Sequence, residues 1–144
     1  MVGANAKMSE FQAAMGICNL RHLGDEIEKR HRAVERYRQH LGDVDGITLC
    51  PAQAGVTPNY AYFPVVFDGY KYTRDEVFAR LAAENIVARN YFYPLTSDFT
   101  CYREAAETHD TPVARRIAQN VLTLPLFADL CEADVDRICN IILG

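Results

Sequence analysis

The stretch GANAKMSEFQAAMG, residues 3–16, places two residues suited to anion binding just before a predicted helix. Ser9 and Gln12 have the spacing of a capping box, which predicts that the helix begins next to Ser9. A helix N-terminus has unpaired N–H groups and a partial positive charge, and both attract a phosphate. Gly3 allows close approach of the backbone, and the Asn5 amide offers two N–H donors. The residues alone leave an alternative open, since Asn5 could also cap or turn a frayed terminus.

A second group of candidates combines an arginine with aromatic side chains. The stretch ARNYFYP at 88–94 holds Arg89, Tyr91 and Phe92, and Tyr60 lies in PNYAYF. The Tyr91 phenol can hydrogen-bond a hydroxyl group of a ligand, whereas Phe92 can only pack. Core packing is the alternative for these aromatic residues, and a half-buried position on a strand is the alternative for Tyr60.

The histidines and cysteines show no pattern that forms a site. Nine residues separate His22 from His31 and His31 from His40, so each step along a helix turns about half a circle and the three cannot meet at one metal ion. No two cysteines have CxxC spacing, and their number is odd: Cys18, Cys50, Cys101, Cys131 and Cys139. We therefore predict no metal site and interpret the cysteines as reduced thiols of a cytoplasmic protein.

Composition limits the class of protein. The chain has 144 residues, of which 49% are hydrophobic and 24% charged, as in a globular domain with its own core. The formal net charge of −4, without a concentrated basic face, gives no reason to expect a nucleic-acid partner. No apolar run approaches the roughly 20 residues that cross a bilayer, so we predict no membrane partner.

The elements that would hold these candidates alternate between helix and strand. Hydrophobic periodicity predicts a helical region to about residue 41, in two pieces separated at Gly24-Asp25. The remaining predicted elements are strands at 47–50, 60–67, 86–92 and 121–127, and helices at 73–85, 111–120 and 132–143. Pro64 inside the second strand indicates an edge or a bulge.

This order predicts an α+β fold, with a long N-terminal helix region followed by a small sheet that helices cover on one face. We assign residues 1–42 to linking helices and residues 43–144 to a small C-terminal α+β domain. The apolar face of the first helix includes Met8, Phe11 and Met15, and large exposed apolar patches rarely persist in monomers. We therefore expect a homodimer or higher oligomer, or a missing domain that covers this face.

Four motifs in order give the chain a family resemblance: GANAKMSEFQAAMGICNL, NYAYFPVVFDG, ARNYFYPLT and LPLFADL. Together they resemble the C-terminal part of the DegT/StrS family, over essentially the whole chain. Members are aminotransferases of fold type I that depend on pyridoxal 5'-phosphate (PLP) and act on nucleotide-linked keto-sugars. The resemblance implies the small domain that closes over a larger, cofactor-carrying domain.

The resemblance also implies roles for the candidate residues. In the family, the asparagine that matches Asn5 reaches across a dimer interface to the phosphate of the neighbouring subunit's PLP, and Gly3 belongs to the same cofactor-binding stretch. Arg89 and Tyr91 match positions at the mouth of the site, and Tyr60 matches a polar position near it. These three are the candidates for substrate binding.

Three positions near the predicted site depart from the family pattern. Tyr91 stands where members commonly have His, Phe92 stands where Tyr is common, and Thr96 replaces a later His. A phenol at position 91 can still hydrogen-bond a sugar hydroxyl, but Phe92 has no donor.

The chemistry that the resemblance implies is transfer of an amino group from an amino acid, usually glutamate, to a keto-sugar. In the family the lysine that binds PLP lies upstream of the stretch that contains Asn5. The three lysines here, Lys7, Lys29 and Lys71, are not at that position. We therefore predict no catalytic residue in this chain, no stable PLP binding and no activity alone. The alternatives are a non-enzymatic module for dimerisation or ligand binding, and one half of a split enzyme.

Overall fold

The structure, a computed structural model, describes residues 6–102 and 110–144. Its helices are α1 (Glu10–Leu41), α2 (Arg74–Ala83), α3 (Pro112–Asn120) and α4 (Glu132–Leu143). Its strands are β1 (Ile47–Leu49), β2 (Phe63–Phe67) and β3 (Val121–Leu124). Two short 3-10 turns lie between α2 and α3, at Thr96–Asp98 and Thr100–Tyr102. The α+β class and the long first helix are confirmed.

The first helix begins at the predicted capping box. The Ser9 backbone N–H donates to Gln12 Oε1 (2.8 Å), and the Gln12 N–H donates to Ser9 Oγ (3.3 Å). The predicted break at Gly24-Asp25 is wrong, because α1 runs through both residues for 32 residues, about 48 Å at 1.5 Å per residue. A glycine inside a helix costs only about 1 kcal/mol relative to alanine, and here the helix continues on both sides.

Only the second half of α1 packs against the rest of the described chain. Ala33, Val34, Tyr37 and Leu41 are buried at helical spacing, and they face a core formed with the sheet, α2 and α4. In the first half, Phe11 and Met15 are 85% and 67% exposed. The apolar face that the sequence predicts at this end of the helix is therefore open in the isolated chain.

The sheet is antiparallel in the order β1-β2-β3. Phe63, Val65 and Phe67 of β2 point into the core. Buried and partly exposed side chains therefore alternate along this strand, as expected for a strand with one buried face. Pro64 lies on this central strand, but β1 ends opposite Val65, so Pro64 has a neighbouring strand on one side only. The proline thus occupies a local edge, one of the two options predicted.

The predicted strand at 86–92 does not form. Arg89 alone makes a bridge, to Thr123 of β3. The chain then turns, with the Tyr91 N–H bonded to the Arg89 carbonyl (2.9 Å) and the Tyr93 N–H bonded to the Asn90 carbonyl (3.0 Å).

A polar cluster joins α1 to α4. Arg36 donates to both carboxylate oxygens of Asp136, from Nε at 2.6 Å and from Nη2 at 2.8 Å. His40 Nε2 lies 2.8 Å from Asp136 Oδ1. The hydrogen bonds from Arg36, and then from His40, lower the pKa of Asp136 to about 2.

Within the described ranges, no helix has the length and apolar character to cross a membrane.

Candidate functional site

A cavity of about 360 Å³ opens beside the third strand and contains two of the predicted site residues, Arg89 and Tyr91. Three separate chain segments build it: Tyr62 just before β2, the bridge segment around Arg89, and the end of β3 with its exit at 123–127. We call it the Arg89 cavity. The Arg89 backbone is fixed there by two hydrogen bonds to Thr123, of 3.0 and 2.8 Å.

Arg89 and Tyr91 contact each other directly. Arg89 Nη1 donates to the Tyr91 hydroxyl (3.1 Å), and the guanidinium carbon lies 5.4 Å from the centre of the Tyr91 ring. A guanidinium has five N–H donors, and this bond uses one. The pair therefore offers a cation with further donors beside a phenol, an arrangement that suits an anionic or hydroxyl-bearing ligand.

Aromatic rings extend the site beyond the predicted residues. Tyr91 stacks on Phe92, with ring centres 5.0 Å apart and planes inclined by 6°. Tyr62 meets both rings edge-on, at 6.1 Å from Tyr91 and 6.2 Å from Phe92. Phe127 lies on the cavity wall. The sequence did not single out Tyr62 or Phe127, although the run of aromatic residues in YAYF carried a signal for the first.

Tyr60 is not part of the Arg89 cavity. It lines a second cavity of about 430 Å³, between α1 and the segment 50–64, which we call the α1 cavity. Its ring stacks on His31 of α1 at 4.9 Å, and its backbone φ of 49° is in the left-handed region that bulky residues rarely adopt. Of the three predicted substrate-binding residues, the structure brings together Arg89 and Tyr91 and places Tyr60 against α1.

Gly3 and Asn5, the predicted cofactor-binding residues, lie outside the described residues. Their role at a phosphate stays a prediction.

Lys29 and Lys71 are both exposed. A lysine that forms a Schiff base with PLP needs an apolar or cationic environment that lowers its pKa. The hydrogen bond and charge of Glu26, and then those of Asp129, instead raise the pKa of Lys29. Lys71 donates to the Leu143 carbonyl at the end of α4, and no lysine lines the Arg89 cavity or the α1 cavity.

In the part of the chain that the structure describes, no group of three or more His, Cys, Asp or Glu side chains could hold a metal ion.

The chain belongs to the DegT/DnrJ/EryC1/StrS aminotransferase family, whose model matches residues 1–143. It is 39% identical over 145 residues to dTDP-4-amino-4,6-dideoxy-D-glucose transaminase of Escherichia coli, with 99% of this chain and 39% of the relative covered. It is 32% identical to UDP-N-acetyl-3-dehydro-alpha-D-glucosamine 3-aminotransferase of Acidithiobacillus ferrooxidans, covering 99% of this chain and 37% of that protein.

Solved structures give the same assignment. The aminotransferase TlmJ from Streptoalloteichus hindustanus superposes with a TM-score of 0.85 at 27% identity, over 99% of this chain and 37% of its own. DesI, solved with its TDP-sugar product, gives a TM-score of 0.85 at 32% identity, over 97% and 36%. The family resemblance is confirmed, and the chain spans under two fifths of the length of these relatives.

Proposed function

We propose that this chain is the C-terminal part of a PLP-dependent aminotransferase that moves an amino group from an amino acid, glutamate in the first instance, to a nucleotide-linked keto-sugar. The family match over residues 1–143 carries this proposal. Residues 1–42 serve as the link to a larger domain, and residues 43–144 serve as the small domain that closes over the site.

In the proposed enzyme, Arg89 and Tyr91 bind the substrate. The guanidinium pairs with a phosphate of the nucleotide, and the phenol hydrogen-bonds the sugar. Tyr60, in the neighbouring α1 cavity, is the third proposed substrate contact, outside the space that receives the sugar substituent. Gly3 and Asn5 approach the phosphate of PLP held by a neighbouring subunit, since an asparagine before a helix N-terminus suits that anion.

A binding experiment on the 144-residue chain tests the substrate role. UDP-glucose is titrated into the chain and into Arg89→Met, and binding is followed by NMR or calorimetry. The matched control is Arg115→Met, which removes an exposed arginine that pairs with Asp98 (3.2 Å) outside the cavity. We expect Arg89→Met to weaken binding by tenfold or more and the control to leave it unchanged. Equal binding by all three proteins would refute the role of Arg89.

We propose that the chain alone does not transaminate and that the PLP-binding lysine lies in another part of a longer protein. The surroundings of Lys29 and Lys71 support this, because neither amine lies in a cavity with Arg89. The test is incubation of the chain with PLP, reduction with borohydride and mass spectrometry of its peptides. A stoichiometric PLP adduct on one lysine would refute the proposal. An adduct that forms only on an added large-domain chain would instead support a split enzyme.

We also propose that the protein acts in the cytoplasm as a homodimer or higher oligomer. The five cysteines are free, which suits a reducing compartment. The exposed Phe11 and Met15 on α1 supply an apolar surface for a partner. The same surface favours the second candidate function, a non-enzymatic dimerisation or ligand-binding module. A module that only dimerises would show no difference in UDP-glucose binding between Arg89→Met and the unsubstituted chain, whereas a ligand-binding module would bind without forming a PLP enzyme with any added chain.

A further inference from the structure

Tyr62 belongs to both the Arg89 cavity and the α1 cavity. Their volumes are about 360 Å³ and about 430 Å³. Tyr62 is 56% exposed, although it directly precedes the core residue Phe63. A large aromatic side chain at this point can separate the two cavities, because its small neighbour Ala61, which also lines both, has no bulk to do so.

The backbone holds Tyr62 in this place from both directions. On one side, the Asn59 side-chain oxygen accepts a hydrogen bond from the Ala61 N–H (3.1 Å), and Tyr60 adopts its left-handed conformation. On the other side, Phe63 pairs with Leu124 in the sheet. A tight turn before the residue and a strand after it leave the Tyr62 backbone little freedom.

The Tyr62 ring also contacts the residues beside Arg89. It meets Tyr91 and Phe92 edge-on, with interplanar angles of 76° and 71°, which is a favourable geometry for aromatic pairs. Tyr91 is thus held at its hydroxyl by Arg89 and at its ring by Tyr62. The contacts made by Tyr62 are through the ring, so the ring and not the hydroxyl carries the role that we assign.

We propose that Tyr62 is a specificity-determining residue, whose ring closes the Arg89 cavity toward the α1 cavity and so limits the size of the sugar substituent that fits. This inference rests on the proposed substrate role of the Arg89 cavity. Loss of the ring would join the two cavities and give a substituent room to extend. One methylene more or less in a hydrophobic pocket changes discrimination by about 10–200-fold, so a change the size of an aromatic ring is measurable.

The test uses two probes that share a nucleotide and differ in one sugar substituent, UDP-glucose and UDP-N-acetylglucosamine. Their dissociation constants are measured for the 144-residue chain and for Tyr62→Phe, Tyr62→Leu and Tyr62→Ala. The matched control is Tyr102→Ala, a tyrosine of similar exposure (53%) that lines neither cavity. Circular dichroism establishes that each variant is folded, and the graded series keeps the test informative if one variant is not.

We expect Tyr62→Ala to shift the ratio of the two dissociation constants by about tenfold toward the acetamido sugar. Tyr62→Leu should give a smaller shift, and Tyr62→Phe and Tyr102→Ala should keep the original ratio. An unchanged ratio in folded Tyr62→Ala and Tyr62→Leu, with binding intact, overturns this inference alone. A shift in Tyr62→Phe equal to that in Tyr62→Ala overturns the role of the ring. Failure of the unsubstituted chain to bind either probe overturns the proposed substrate site and this inference with it.

Discussion

Replacement of Tyr37 by phenylalanine tests how α1 is joined to the wall of the Arg89 cavity. The Tyr37 ring is fully buried and stacks on Phe63 at 4.8 Å. Its hydroxyl donates to the carbonyl oxygen of Pro125 (3.0 Å), which follows β3 and lines the cavity. Tyr37→Phe keeps the ring and its stacking and removes one buried hydrogen bond.

The expected cost follows from that single loss. A hydrogen bond contributes about 0.5–1.5 kcal/mol net, and a buried polar group left without a partner costs about 1–3 kcal/mol. We therefore expect Tyr37→Phe to lower the free energy of unfolding by about 1–2 kcal/mol. Tyr37→Ala, which also removes the ring, should lower it by about 3–5 kcal/mol. Urea unfolding measures both values, and equal slopes with denaturant show that the exposed surface has not changed.

The pH dependence of the free energy of unfolding distinguishes loss of the Tyr37 hydroxyl from other effects of Tyr37→Phe. Burial raises the pKa of Tyr37 well above its ordinary value of 10.0. Above about pH 10 the unfolded chain ionises this phenol and the folded chain does not, so the unsubstituted protein loses stability while Tyr37→Phe is spared that loss. The difference in free energy of unfolding between the unsubstituted chain and Tyr37→Phe should be constant below that pH. Above it, the difference should narrow by about 1.4 kcal/mol per pH unit. A difference in free energy of unfolding under about 0.5 kcal/mol at neutral pH would refute the stabilising role of the Tyr37 hydroxyl, as would a difference that alkaline pH does not change.

Three further predictions concern other parts of the chain. Contacts with Arg36 and His40 lower the pKa of Asp136 from 3.8 to about 2, so the stability lost in Asp136→Asn should be visible above pH 4 and vanish as the pH falls to about 2. A loss that persisted to pH 2 in acid-unfolding curves would contradict this. Thr73→Ala removes the cap of α2 and should cost about 1 kcal/mol in urea unfolding, whereas a cost near zero would count against the cap. Phe11→Ser should reduce self-association in sedimentation velocity; a monomeric unsubstituted chain at high concentration would refute the prediction.

Helix starts were predictable because their signals are local. In both capping boxes, Ser9 with Gln12 and Thr73 with Glu76, side chains bond backbone groups three residues away. These bonds join groups within one helical turn and so need no contact with distant residues. Thr111-Pro112 likewise marks the start of α3, although the Thr111 side chain makes no capping bond.

The errors lie where a local signal does not decide the structure. Gly24 suggested a break, yet nothing in the described chain packs near the position its Cβ would occupy, so no contact favours a bend there. The stretch IVARNYF at 86–92 suggested a strand, but the backbone turns after Arg89 and only that residue reaches β3. Propensity alone carries no information on whether a partner strand extends far enough.

The same distinction explains the candidate site. Arg89 and Tyr91 are two residues apart and were predicted together. Tyr62 and Phe127 are far apart in sequence. They share a cavity because Phe63 pairs with Leu124, and no local sequence pattern predicts that strand register. Tyr60 was grouped with Arg89, but its positive φ turns the chain so that its ring stacks on α1.

The architecture gives the proposed site a firm side and an adjustable side. The firm side is β3, whose four residues are all buried and whose Thr123 holds the Arg89 backbone through two hydrogen bonds. The adjustable side consists of exposed rings, Tyr62 and Phe92 among them, that contact one another rather than the core. A guanidinium whose backbone is bridged to a buried strand needs little reorganisation to meet an anion, whereas exposed rings can move with the shape of a sugar. The arginine should therefore govern affinity for the nucleotide, and the rings should govern which sugar is accepted.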